Sequence, residues 1–150
     1  MQCFNLVYRF AYGIPRVGSL TMLIHTFEVK SQVTVDEFRA ISNSLCKLSD
    51  WMPTDRGILY YGYSSCGILV ELAAVGKDSY VRCDVVYRIT PSRLFDHDDY
   101  LGLFDTAYTD RLINEIDFRL KVLCPLLPDM ALCDLTRVDY TVNAVLDNHK

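Results

Sequence analysis

Two stretches of this chain hold charged side chains at every second position. Tyr80, Arg82, Asp84, Val86 and Arg88 alternate with Val81, Cys83, Val85, Tyr87 and Ile89. Arg137, Asp139, Thr141 and Asn143 alternate with Val138, Tyr140, Val142 and Ala144. Period two is the signature of a half-buried strand, so each set lies on one exposed face. If the two strands are neighbours, Arg82, Arg88, Arg137, Asp139 and Asn143 gather guanidinium groups, a carboxylate and an amide. Arginine forks suit phosphate oxygens, and a carboxylate suits a hard divalent cation. The competing reading is ordinary surface ion pairing, which contributes little.

Other constellations carry less chemistry. Asp96-His97-Asp98-Asp99 places four metal-ligand types in a row, but consecutive residues rarely converge on one point, and a solvated acidic loop explains them. Tyr60, Tyr61, Tyr63, Tyr80, Tyr87, Tyr100, Tyr108 and Tyr140 could stack on bases, or serve as core and cross-strand partners. His25, His97 and His149 lie far apart, so no Cys–His nucleophile pair is legible. No Gly-rich phosphate loop and no G-x-S-x-G elbow occurs. The six cysteines include no C-x-x-C pair. They read as buried free thiols of a reducing, cytoplasmic compartment, with disulfides as the alternative.

The elements that must position these residues follow from the same patterns. Met22–Lys30 reads as a strand. Thr34 and Glu37 form a capping box for a helix with Val35, Phe38, Ile41, Leu45 and Leu48 on one stripe. Asp50-Trp51-Met52-Pro53 ends that helix. Strands are predicted over Gly57–Tyr63, Ile68–Val75 and about Tyr80–Ile89, then an irregular acidic stretch over Pro91–Asp105. A helix over Thr109–Cys124 has Leu112, Ile113, Ile116, Leu120 and Leu123 as its apolar face, and Pro125 stops it. Leu135–Leu146 is the last strand. The expected fold is α+β, an antiparallel sheet in β-α-β-β-β-α-β order with two helices on one face.

The 150 residues, 51% of them apolar, suffice for one domain. Residues 22–150 are read as that domain or as the N-terminal part of a larger one, for the strongest strand lies close to the chain end. Residues 1–21 are read either as an extension of doubtful order ahead of a start at Met22 or as an edge strand. They lack the features of a signal peptide. No apolar run approaches a bilayer span, so no membrane partner is expected. The net charge of −4 is uneven: residues 1–90 carry net +1 and residues 91–150 net −5. Phosphate contacts therefore belong to local basic groups, while the acidic C-terminal part suits a basic protein surface.

Leu135-Thr136-Arg137-Val138-Asp139-Tyr140-Thr141-Val142-Asn143 resembles the T-R-[IV]-D strand motif of replication-initiation proteins of rolling-circle plasmids and phages, and of related mobile-element relaxases. Val86–Leu94, Asp99-Tyr100-Leu101-Gly102 and the helix ending at Leu127-Pro128 precede it in a similar layout. The resemblance covers roughly residues 80–146 and, more loosely, 22–75. It implies an α+β domain that nicks one DNA strand with a tyrosine and holds Mg²⁺ or Mn²⁺ with sheet carboxylates. Asp139 matches a metal ligand, and Arg137 would orient it or touch phosphate. Arg82, Arg88, Arg137 and Asn143 are the expected nucleic-acid contacts. Asn143 stands where the family usually has a second acid, and there is no His-x-His pair. The family's nucleophilic tyrosine falls beyond Lys150. The expectation is a replication-initiation-like domain that binds single-stranded DNA or an origin hairpin and does not nick alone. The alternative is a small acidic protein-binding module of mobile-element origin without catalysis.

Overall fold

The computed structural model describes residues 21–49, 51–54, 57–61, 67–77, 80–95, 104–105 and 109–143. The N-terminal 20 residues, Asp96–Asp99 and the segment after Asn143 lie outside the described residues. The expectations for an extension or edge strand and for a solvated acidic loop at Asp96–Asp99 fall there.

Strand β1 (Thr21–Val33) leads into helix α1 (Val35–Leu45), and strands β2 (Trp51–Thr54), β3 (Gly57–Tyr61), β4 (Ile68–Lys77) and β5 (Tyr80–Ile89) follow. Helix α2 (Pro91–Phe95), strand β6 (Phe104–Asp105), helix α3 (Thr109–Leu123), a 3-10 turn (Met130–Leu132) and strand β7 (Asp134–Asn143) complete the order. The fold is α+β, with every strand pairing antiparallel. Three short elements go beyond the expected order. Trp51–Thr54 ends the helix as expected, but it also pairs with β3, Trp51 opposite Tyr60 and Thr54 opposite Gly57. Pro53 is tolerated because β2 is an edge strand. The irregular acidic stretch contains α2 and the two residues of β6.

The sheet runs β2-β3-β4-β5-β1, with β7 on the far edge of β1. β7 occupies one edge of β1 from Thr21 to Lys30, and β5 takes the other edge from Phe27 to Val33. β6 meets that second edge at Leu23 and Ile24. β1 is therefore the central strand between β5 and β7.

Local chemistry explains the helices. Thr34 Oγ1 accepts from Glu37 N at 3.1 Å, and Glu37 Oε2 accepts from Thr34 N at 2.8 Å, so the capping box is complete. Ile41 and Leu45 are buried, Phe38 and Leu48 pack against the core, and Val35 at the first turn is exposed. In α3, Leu112, Ile113, Ile116 and Leu120 are buried. These side chains join Phe27, Val29, Val70, Leu72, Val85, Tyr87 and Ile89 in one core on one face of the sheet. Gly67 adopts φ +68°, and a Cβ there would lie 2.5 Å from the Thr90 carbonyl oxygen, so β4 can begin beside the end of β5 only with glycine.

Two bulges adjust the β1–β7 ladder. Ile24 pairs with Tyr140 and Thr26 with Asp139, leaving His25 as an extra residue on β1. Glu28 pairs with Arg137 and Val29 with Leu135, leaving Thr136 extra on β7. One insertion on each strand restores the register. Each also shifts the facing pattern. Ile24 and Phe27, three residues apart, are both buried, and Leu135 and Val138, also three apart, both pack on the core.

Candidate functional site

The face of the sheet opposite the core carries the charged side chains. Register sets them in rows. Arg88 on β5, Glu28 on β1 and Arg137 on β7 are aligned partners in one row. Val86, Lys30 and Asp134 form the next row in one direction. Asp139, opposite Thr26 at the bulge, is the next position in the other direction.

Each arginine of this face has a carboxylate. Glu28 Oε2 accepts from Arg88 Nη2 at 3.0 Å, and Glu28 Oε1 accepts from Thr136 Oγ1 at 3.3 Å. Arg137 Nε donates to Asp139 Oδ1 at 3.1 Å. Arg82 Nε lies 3.1 Å from both Asp84 carboxylate oxygens. The Arg137 side chain is 65% exposed and that of Asp139 44%, so their pair is weak and exchangeable. Asp84 is buried and better held.

The structure brings Arg88, Arg137 and Asp139 together around Glu28 and parts them from the other two predicted residues. Arg82 lies six residues along β5 from Arg88, roughly 20 Å at strand rise. Asn143 pairs with Thr21 at the opposite end of β1. The five residues share a sheet but form no single pocket. β5 and β7 are not direct neighbours, since β1 runs between them.

Sequence reasoning missed Glu28, His25 and Thr136. Glu28 is 60 residues from Arg88 and 108 from Thr136, so nothing local marks it. His25 and Thr136 are the bulge residues, and their signal was present as apolar spacings of three within strands. A bulge re-aims side chains, and this one leaves His25 unpaired next to Thr26, the partner of Asp139. An exposed carboxylate suits Mn²⁺, or Mg²⁺ that keeps most of its waters. Among the described residues no group of three or more His, Cys, Asp or Glu converges, so Asp139 supplies at most part of a ligand shell. Tyr87 is buried, and its hydroxyl donates to the Pro128 carbonyl at 2.9 Å. It is a core residue, and burial first, then neighbouring acidic groups, raises its pKa.

A second concave region lies behind the sheet, in a groove of about 560 Å³ between the end of β1, α1 and the turn after α3. Cys46, Cys83, Cys124 and Cys133 are free thiols, and only Cys46 is exposed. No described helix is long and apolar enough to cross a membrane.

Compared with known proteins, the chain matches no family model, no curated protein and no solved structure.

Proposed function

We propose that the outer sheet face binds single-stranded DNA beside a divalent cation, in the manner of a replication-initiation domain. The observation that carries this reading is the row Arg88–Glu28–Arg137 with Asp139 at the next position, opposite the β1 bulge. Two guanidinium groups flank the central strand, about 10 Å apart across two strand spacings, and can contact separate phosphates. Asp139 would hold Mg²⁺ or Mn²⁺, which would supply Lewis-acid polarisation of a phosphate oxygen. The Arg137–Asp139 pair couples the two functions. If Asp139 held a cation, Arg137 would lose its carboxylate partner and its guanidinium would be free for phosphate. DNA binding is therefore expected to strengthen with Mn²⁺.

The test is Mn²⁺ titration monitored by anisotropy of a labelled single-stranded oligonucleotide. Asp139→Ala is expected to abolish the Mn²⁺ enhancement. Arg137→Ala is expected to weaken DNA binding and reduce its salt slope by about one, while metal binding by itself is kept or improved. Absence of salt-sensitive DNA binding at any Mn²⁺ concentration would overturn the reading.

A second reading, a protein-binding module without catalysis, is favoured by charge balance. The described outer face sets Lys30, Arg82, Arg88 and Arg137 against Glu28, Glu71, Asp84, Asp134 and Asp139, so it carries no excess of positive charge for a polyanion. Under that reading a basic protein is bound and DNA is not.

A further inference from the structure

The groove behind the sheet is a separate feature, remote from the outer face. Its floor is the end of β1, Ser31 to Val33, and one wall is α1 through Glu37, Ala40 and Ile41. The other wall is the turn from Pro125 to Asp129 together with Leu132. The turn is rigidly tied. Lys121 Nζ donates to the Pro125 and Leu127 carbonyls at 3.2 Å each and pairs with Asp129 Oδ1 at 3.0 Å. Asp117 Oδ1 accepts from Met130 N at 2.8 Å. Tyr87 holds Pro128 from below. The groove walls are therefore preorganised before any partner arrives, which lowers the entropic cost of binding.

Its chemistry selects the occupant. Ile41 and Leu127 are fully buried beneath it, whereas Leu126 and Leu132 at its lips are 56% and 57% exposed. Two large exposed aliphatic groups on a groove lined by both apolar and polar side chains offer a contact surface. Lys121, the one cation among the lining residues, has three donor hydrogens and three acceptors already. It has nothing left for an anionic ligand. Glu37 and Asp129 each keep one carboxylate oxygen without a partner among the described residues. The groove thus offers apolar contact and spare negative charge.

We propose that this groove docks a basic amphipathic segment of a partner protein, its apolar side chains between Leu126 and Leu132 and its lysine or arginine side chains on Glu37 and Asp129. This is the helix-in-groove mode of recognition, with charge complementarity choosing the partner. It stands independently of DNA binding on the outer face.

The probe is a labelled twelve-residue peptide of leucine and lysine at helical spacing, with a leucine–glutamate counterpart, followed by anisotropy against the full chain. The basic peptide is expected to bind at least tenfold tighter than the acidic one. Leu126→Ser with Leu132→Ser, both at exposed lips, is expected to weaken it at least tenfold. Glu37→Gln retains an acceptor oxygen for the helix cap and is expected to lower both affinity and salt dependence. Arg88→Ala on the outer face is expected to leave peptide binding unchanged. Equal binding of the two peptides, or full binding by the double serine variant with native circular dichroism, would overturn the proposal. So would sedimentation showing that the leucine lips instead join two copies of this chain and exclude the peptide.

Discussion

Asp117 sits on α3 facing the turn, and burial raises its pKa above its ordinary value. The Met130 N–H bond opposes that shift, nearby Asp129 adds to it and Lys121 lowers it. Because the folded pKa is the higher one, ionisation disfavours the folded state. The penalty is absent below the unfolded pKa and is complete once pH passes the folded one. Asp117→Asn keeps an acceptor for Met130 N–H and cannot ionise. Its stability relative to the native chain is expected to rise with pH through and just above the carboxylate range, then level off. Denaturant melts at a series of pH values measure this, and a pH-independent difference would exclude the assignment. At the same scale, Arg82–Asp84 and Arg137–Asp139 were legible in the sequence as i, i+2 pairs on strands. Arg88–Glu28 was not, because 60 residues separate the partners.

The elements show where period and tertiary pairing part company. The capping box was legible because both of its hydrogen bonds are local, three residues apart. Thr34→Ala is expected to lower stability by about 1 kcal/mol, read as a lower denaturant midpoint at unchanged slope. A loss under ~0.3 kcal/mol would mean that tertiary packing alone holds the start of α1. The alternation of β5 was legible for the same reason: Cys83, Val85, Tyr87 and Ile89 are buried, and Arg82 and Arg88 are exposed. β1 and β7 were legible as strands, but strict alternation places Leu135 with Arg137 on the outer face. The bulge at Thr136 turns Leu135 to the core instead. β2 was read only as a helix stop, since four residues containing proline have too little pattern to declare a strand.

Across the whole molecule, one core on one face leaves three of the four described cysteines inside. Cys133 is pushed up to about 12, chiefly by burial and then by Asp117, Asp134 and Asp129. The thiolate is the reactive form, so burial and a raised pKa both suppress reaction. Iodoacetamide on the native protein, mapped by mass spectrometry, is expected to modify Cys46 and spare Cys83, Cys124 and Cys133 until denaturant is added. Native modification of Cys133 at a rate matching Cys46 would contradict the packing beneath the α3–β7 connection.

The amino-acid pattern alone marks the long strands and the two long helices, the apolar side of β5, the start of α1, and the exposed strand positions of Arg88, Arg137 and Asp139. All of these depend on interactions within a few residues, where a period of 2 or 3.6 and a cap leave direct marks. Folding in three dimensions settles that β1 runs between β5 and β7, that Glu28 stands between two arginines, that His25 is the extra residue beside the Thr26–Asp139 pair, and that α1 and the turn after α3 enclose a groove with leucine lips and two carboxylates. A side-chain period states a face and not a neighbour. Strand adjacency and register are settled by burying the apolar faces of all the elements at once, and that collective term has no local imprint.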